Sequence, residues 1–158
     1  MYNALVTYNP VGVGEIELNT LILDLNGTLA VKGELVIGCP QRIQKLKDMG
    51  YKIYLFTGDQ RGDAALKAAE LGIEVKIAKT TEEKEKLTTV LEVGKTVAIG
   101  NARIDIGTFK STKVRIGVLQ AEGIHIGIIS SLDILIPSIN DALDLLIYPE
   151  IFNATMRK

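Results

Sequence analysis

Three short clusters combine carboxylates, amides, hydroxyls and glycines: Asp24-Leu-Asn26-Gly-Thr28, Thr57-Gly-Asp59 and Gly100-Asn101-Ala-Arg103-Ile-Asp105. A lysine-bearing helical stretch, with Lys84 and Lys86, lies between the second and the third. Carboxylates with amide and carbonyl oxygens are hard donors that suit a divalent cation, and a lysine beside hydroxyl and N–H donors suits a phosphoryl group. Converging, these groups point to metal-assisted phosphoryl chemistry. The common nucleotide-binding loops are absent: no G-x-x-x-x-G-K-[ST] and no G-x-G-x-x-G occurs in the chain.

Each cluster follows an apolar run that can position it. Thr20–Leu25, Tyr51–Thr57 and Thr96–Gly100 read as strands, the first a continuous apolar run ending in an acid, as suits a central strand buried on both faces. Helical patterns alternate with them. One opens at Cys39-Pro40, carries Ile43, Leu46 and Met49 on one face and stops at Gly50. A second spans Arg61–Leu71 before Gly72, and a third spans Thr81–Val93, capped by Thr80 or Thr81 with Glu82 and Glu83 in its first turn. Further strands are expected at Ile73–Lys79, Val114–Leu119 and Ile134–Ile136. A short helix is expected within Ile104–Lys110, and another over Ser138–Leu146 that begins Ser-x-x-Asp. Residues 3–8 and 14–19 read as a ribbon turning at Asn9-Pro10, and Lys32-Gly33 as a hairpin turn. This alternation predicts an α/β fold with a mainly parallel sheet, in which ligands bind beyond the carboxyl ends of the strands.

The chain of 158 residues carries 18 Lys+Arg against 19 Asp+Glu, a formal net charge of −1. No basic field exists to hold nucleic acid or an anionic membrane surface, so neither is an expected partner. Mean hydropathy is +0.22, yet no run approaches the ~20 apolar residues of a spanning helix. The single Cys39 excludes an intramolecular disulfide, and no secretory leader is evident at the N-terminus, so the expected location is the cytoplasm. His125, the only histidine, has no partner motif. Asp59 and Asp63 read as helix-start acids.

The order D-x-N-G-T-L, T-G-D, Lys, G-N-x-x-x-D resembles the four signature motifs of the haloacid dehalogenase (HAD) superfamily. Within it the match is to the phosphorylation domain of P-type ATPases and to small P-type-ATPase-like HAD proteins. Thr57–Ile73, TGDQRGDAALKAAELGI, is similar to the ATPase stretch from T-G-D to L-G-I. Lys86-Leu-Thr-Thr-Val90 resembles K-x-x-x-V, Gly100–Asp105 resembles G-D-G-x-N-D, and Ser138–Leu146 matches as well; the likeness covers about residues 20–147. It implies a three-layer α/β/α Rossmann-like core with a flap hairpin at Lys32-Gly33. Residues 1–158 would form one domain: a ribbon to residue 19, the core over 20–147 and a helical tail over 148–158. Asp24 would be the nucleophile that forms an aspartyl-phosphate, with Asn26 in the acid–base position. Thr28, Thr57, Gly58 and a lysine would hold the phosphoryl group, and the K-x-x-x-V match favours Lys86 over Lys84. The resemblance also implies Mg²⁺, bound by Asp24, the Asn26 carbonyl and either Asn101 or Asp105.

Two positions depart from the pattern. Most HAD phosphatases place a general acid–base Asp where this chain has Asn26, and such groups contribute ~10²–10⁴-fold, so a slow turnover is expected. Asn101 stands where the ATPases place a metal-binding Asp, which removes a charge unless Asp105 compensates. The 33 residues from Asp24 to Thr57 and the 29 from Thr57 to Lys86 leave no room for a cap domain. The expectation is a capless Mg²⁺-dependent phosphohydrolase acting on a phosphorylated small molecule or macromolecule, in a chain that could assemble as a homo-oligomer. The alternatives are a weakly active binding or regulatory protein and a self-phosphorylating domain.

Overall fold

The computed structural model describes residues 5–58, 63–91 and 93–158. An antiparallel ribbon, β1 (Val6–Tyr8) and β2 (Ile16–Leu18), leads into β3 (Thr20–Leu23) and a small hairpin, β4 (Ala30–Val31) and β5 (Glu34–Leu35). Then follow α1 (Cys39–Met49), β6 (Lys52–Thr57), α2 (Asp63–Leu71), β7 (Glu74–Ile77), α3 (Thr81–Thr89) and β8 (Thr96–Gly100). The short α4 (Ile106–Phe109), β9 (Val114–Val118), β10 (Ile134–Ile136), α5 (Ile139–Ile147) and α6 (Pro149–Met156) complete the chain.

Six strands form one parallel sheet in the order β10-β9-β8-β3-β6-β7. The chain builds outward from β3 through β6 to β7, then crosses back and builds through β8 and β9 to β10. The reversal leaves a crevice beyond the carboxyl ends of β3 and β8, where Leu23 lies level with Ile99. Period-two alternation divides the sheet into two faces. Leu21, Leu23, Ile53, Leu55, Val97 and Ile99 pack with the buried residues of α1, α2, α5 and α6. Ile22, Phe56 and Ala98 face the other way, onto Phe109 of α4, Ile128 and the half-buried Leu87 of α3. The result is the parallel α/β fold that the alternation of elements predicts, in the three α/β/α layers that the resemblance implies.

Local signals account for most boundaries. The Thr80 side chain caps α3 by accepting the Glu83 N–H at 3.1 Å, and Ser138 caps α5 by accepting the Asp141 N–H at 3.2 Å. Lys32 and Gly33 adopt φ of 52° and 86°, the left-handed pair that a tight hairpin turn needs. Two expectations are corrected. The helix read over Thr81–Val93 ends at Thr89. In its last turns Thr88 Oγ1 donates to the Lys84 carbonyl and Thr89 Oγ1 to the Lys86 carbonyl, side-chain bonds that compete with continued helix. The strand read over Ile73–Lys79 is paired only over Glu74–Ile77, as the edge of the sheet. Asp59 and the expected helix start at Arg61 lie outside the described residues, as do residues 3 and 4 of the ribbon. No described helix is long and apolar enough to cross a membrane.

Candidate active site

Asp24 directly follows β3, and its N–H crosses the crevice to donate to the Ile99 carbonyl of β8 at 3.2 Å. By alternation it shares the face of Ile22, so its carboxylate meets the α3–α4 layer. There Lys84 of α3, only 1% exposed, donates from Nζ to Asp24 Oδ1 at 3.4 Å and to Asp105 Oδ1 at 2.5 Å. Asp105 accepts the N–H groups of Asn101 (3.0 Å) and Ala102 (2.9 Å) on Oδ2, which closes the turn after β8. Two carboxylates therefore share one buried ammonium. Asp24 Oδ2 has no partner among the described residues.

The electrostatics follow from that count. Burial pushes the Asp24 carboxyl up to about 7; neighbouring Asp105 adds to the rise, while Lys84 and the Leu25 N–H oppose it. Burial alone would lower Lys84, but Asp24 and Asp105 and their hydrogen bonds hold it above its ordinary value, so it stays charged. A cavity of about 10 Å³ beneath Asp24, lined in part by Lys84, Asp105, Thr108 and Phe109, is far too small for a substrate. Approach to Asp24 is therefore from beyond the strand ends.

The structure rearranges several expected roles. Lys84, not Lys86, is the lysine brought to Asp24. Lys86 is exposed, about 200° further round α3 at 100° per residue. Lys84 shares a helical stripe with Leu87 and Leu91, both packed on the core of that face, and this spacing was readable in the sequence. Asp105, expected as a possible metal ligand, has both oxygens committed to Lys84 and to backbone donors. Thr28, expected on phosphate, is wholly buried: its hydroxyl donates to Asn101 Oδ1 at 3.3 Å and its N–H to the Leu25 carbonyl at 3.2 Å. Thr57 is buried at the end of β6, where its carbonyl accepts the Ala78 N–H, and half-buried Gly58 follows it. Asn26 is exposed, and its side chain makes no hydrogen bond to the described residues.

Asn101 is held at both ends of its amide. Besides accepting from Thr28, it donates from Nδ2 to the Gly123 carbonyl at 2.9 Å. It lies so close under Gly27 that a Cβ there would sit 2.1 Å from Nδ2, and Gly27 also needs its φ of 80°. Sequence reasoning missed Gln120 entirely. This half-buried residue after β9 donates to the Gly27 and Thr28 carbonyls and accepts the Ile139 N–H. A polar residue in a loop with no motif around it gives no signal. The His125 and Cys39 side chains make no hydrogen bond to Asp24, Lys84 or Asp105. His125 is exposed and accepts the Gly127 N–H on Nδ1. Cys39 is buried, and burial pushes its thiol up to about 11.

The hard-oxygen donors present suit Mg²⁺, which binds through one or two carboxylates and keeps its remaining positions for waters and phosphate oxygens. Asp24 supplies a carboxylate oxygen without a protein partner and an excess of buried negative charge. The Asn26 main chain adjoins it, and Asn101 Oδ1 has a second lone pair. Among the described residues no three His, Cys, Asp or Glu side chains cluster into a protein-only cage.

No protein-family model and no curated protein matches the chain. Solved structures do. The cobalt-bound deoxy-D-mannose-octulosonate 8-phosphate phosphatase of Haemophilus influenzae superposes with a TM-score of 0.70 at 15% identity, over 84% of this chain and 89% of that one. The 3-deoxy-D-manno-octulosonate 8-phosphate phosphatase of Moraxella catarrhalis, in complex with magnesium, phosphate and the sugar acid, gives 0.71 at 16% identity over 89% and 94%. A phosphoserine phosphatase in apo form gives 0.67 at 14% identity over 83% and 98%. At these identities the likeness establishes the fold alone: the chain shares the α/β/α core of these phosphatase structures, with no cap evident among the described residues.

Proposed function

We propose that this chain is a Mg²⁺-dependent phosphohydrolase with Asp24 as its nucleophile. One observation carries the reading: at the switch point of a HAD-type sheet, Asp24 is paired with a buried lysine that a second carboxylate holds in place. Asp24 and the Asn26 carbonyl, with Asn101 Oδ1, would hold Mg²⁺, whose charge when bound offsets that of the incoming phosphate. A carboxylate oxygen of Asp24 attacks phosphorus as the ester P–O bond breaks. The leaving oxygen departs with the bond's electron pair, and an aspartyl-phosphate remains. Lys84 stabilises the charge on the phosphoryl oxygens, and Asp105 keeps Lys84 aimed and charged. Water then cleaves the acyl phosphate and restores Asp24. Purified protein with Mg²⁺ is expected to hydrolyse p-nitrophenyl phosphate, and Asp24→Asn to abolish it. Wild-type rates in that variant would refute the reading.

Asn26 favours a second outcome of the same chemistry. The position next to the nucleophile loop offers no group to protonate a leaving group or activate water. The aspartyl-phosphate would then persist as a stable modification rather than turn over. Incubation with acetyl phosphate, followed by intact-mass measurement, separates the two: a lasting phosphoryl adduct favours self-phosphorylation, and free phosphate release without adduct favours turnover.

A further inference from the structure

We propose that Gln120 is the positioning residue of the loop that carries Asp24, an inference that rests on the reading of Asp24 as nucleophile. Gln120 Nε2 donates to the Gly27 carbonyl at 2.9 Å and to the Thr28 carbonyl at 2.6 Å, while Oε1 accepts the Ile139 N–H at the start of α5 at 3.1 Å. Two acceptors on one side and a donor on the other fix which way the amide faces. A carboxylate cannot meet the first pair, and an ammonium cannot meet the second partner.

The loop's own bonds leave two of its carbonyls for an outside partner. Inside the loop, Gly27 N–H donates to the Ala30 carbonyl, and the N–H groups of Thr28 and Ala30 both donate to the Leu25 carbonyl. The carbonyls of Gly27 and Thr28 turn outward to Gln120. Gln120 is itself anchored, because its carbonyl accepts the Gly123 N–H at 2.7 Å and the Gly123 carbonyl accepts from Asn101 at the end of β8. The turn at 120–123 thus ties the nucleophile loop to α5 and to β8 together. Residues 25–28 carry both the Leu25 N–H beside the Asp24 carboxylate and the Asn26 carbonyl, so a shift of the loop displaces these groups together. Misplacement of reacting groups by ~1 Å costs ~10²-fold in rate.

The test compares Gln120→Lys, which keeps donors for both carbonyls but not the acceptor for Ile139, with Gln120→Glu, which does the reverse. Gln120→Leu removes all three bonds without adding charge and serves where Gln120→Glu fails to fold. Two quantities are read: kcat and KM on p-nitrophenyl phosphate with Mg²⁺, and amide hydrogen exchange in peptides spanning residues 24–30 and 138–142. In Gln120→Glu and Gln120→Leu, kcat is expected to fall about 30-fold or more with KM within about threefold. Exchange at 24–30 should quicken about tenfold. Gln120→Lys should keep kcat within about fivefold and leave 24–30 protected, with faster exchange confined to 138–142. Wild-type protection of 24–30 in Gln120→Glu or Gln120→Leu, or losses in Gln120→Lys as large as in Gln120→Glu, overturn the proposal. If the wild type hydrolyses no ester, the proposed activity falls, and exchange at 24–30 still decides whether Gln120 holds the loop.

Discussion

Replacing the proposed nucleophile should make the protein more stable above neutral pH. With Asp24 ionised, the buried cluster of Asp24, Asp105 and Lys84 holds two negative charges against one positive charge. Burial, with Asp105 adding to it, pushes the Asp24 carboxyl from 3.8 up to about 7, so the folded state binds that proton more tightly than the unfolded chain does. The stability from this group is complete below the unfolded value and is lost as pH rises through about 7. Integrated between about pH 5 and pH 8, that linkage costs the wild type a few kcal/mol. Over the whole range the loss tends to about 4 kcal/mol. Asn at position 24 has no proton to lose and leaves Lys84 and Asp105 as a neutral pair. In metal-free buffer at about pH 8.5, Asp24→Asn should exceed the wild type by a few kcal/mol while hydrolysing nothing. Urea unfolding followed by circular dichroism at a series of pH values measures both slopes. Adding Mg²⁺ should raise the wild type at high pH and leave the variant unmoved, since only a ligand bound by the folded state stabilises it. Parallel pH profiles, or a variant weaker than wild type at about pH 8.5, would refute the claim that burial outweighs Lys84 at Asp24.

Lys84→Met strands two buried carboxylates, which should cost about 3–5 kcal/mol and abolish hydrolysis. Lys86→Ala, at an exposed position, should stay within about 0.5 kcal/mol of wild type. Calorimetric Tm values read the difference, and equal effects would return the phosphate-binding role to Lys86. Asn26→Asp supplies the missing acid–base group at an exposed side chain with no partner to lose. Turnover of p-nitrophenyl phosphate should rise by up to ~10²-fold at unchanged Tm, and a flat rate would show that proton transfer is not limiting. Asn101→Asp, by contrast, sets a carboxylate against the Gly123 carbonyl and should lose about 1–3 kcal/mol in metal-free urea unfolding. Full wild-type stability there would mean that the bond from Nδ2 is dispensable.

The order of strands and helices was legible because each run has one period and clear punctuation: apolar Thr20–Leu23, the capping Thr80 and Ser138, the turn at Lys32-Gly33. The placement of Asp24 was legible for the same reason, since a carboxylate ending a central strand can point only into the crevice or into a helix layer. The choice of lysine was misread because a motif spacing was preferred to the helical stripe 84–87–91, which places Lys84 inward. The end of α3 was misread because apolar residues run on to Val93, while the hydroxyls of Thr88 and Thr89 bond back to their own helix. Thr28 and Gln120 were out of reach. Their partners lie 73 and about 90 residues away in sequence, and no local period encodes contacts closed by the turns after β8 and β9.

In sequence the two asparagines look alike, each standing where the family pattern has an acid, and together they suggest a site that has lost charge. The structure separates them. Asn26 is exposed and its side chain unbonded, so on the proposed reading its identity bears on proton transfer alone. Asn101 is buried and uses both ends of its amide, accepting from Thr28 and donating to Gly123, which only a side chain with a donor and an acceptor can do. The charge lost at 101 is therefore tied to a gain in loop anchoring, for the Gly123 turn that Asn101 holds is the one from which Gln120 reaches the Asp24 loop. A carboxylate there would also be a third negative group in a region where burial already lifts Asp24 to about 7. On the proposed reading, the site would have a tied nucleophile loop and no acid–base group at position 26, an arrangement suited to forming a phosphoryl-aspartate faster than it breaks one.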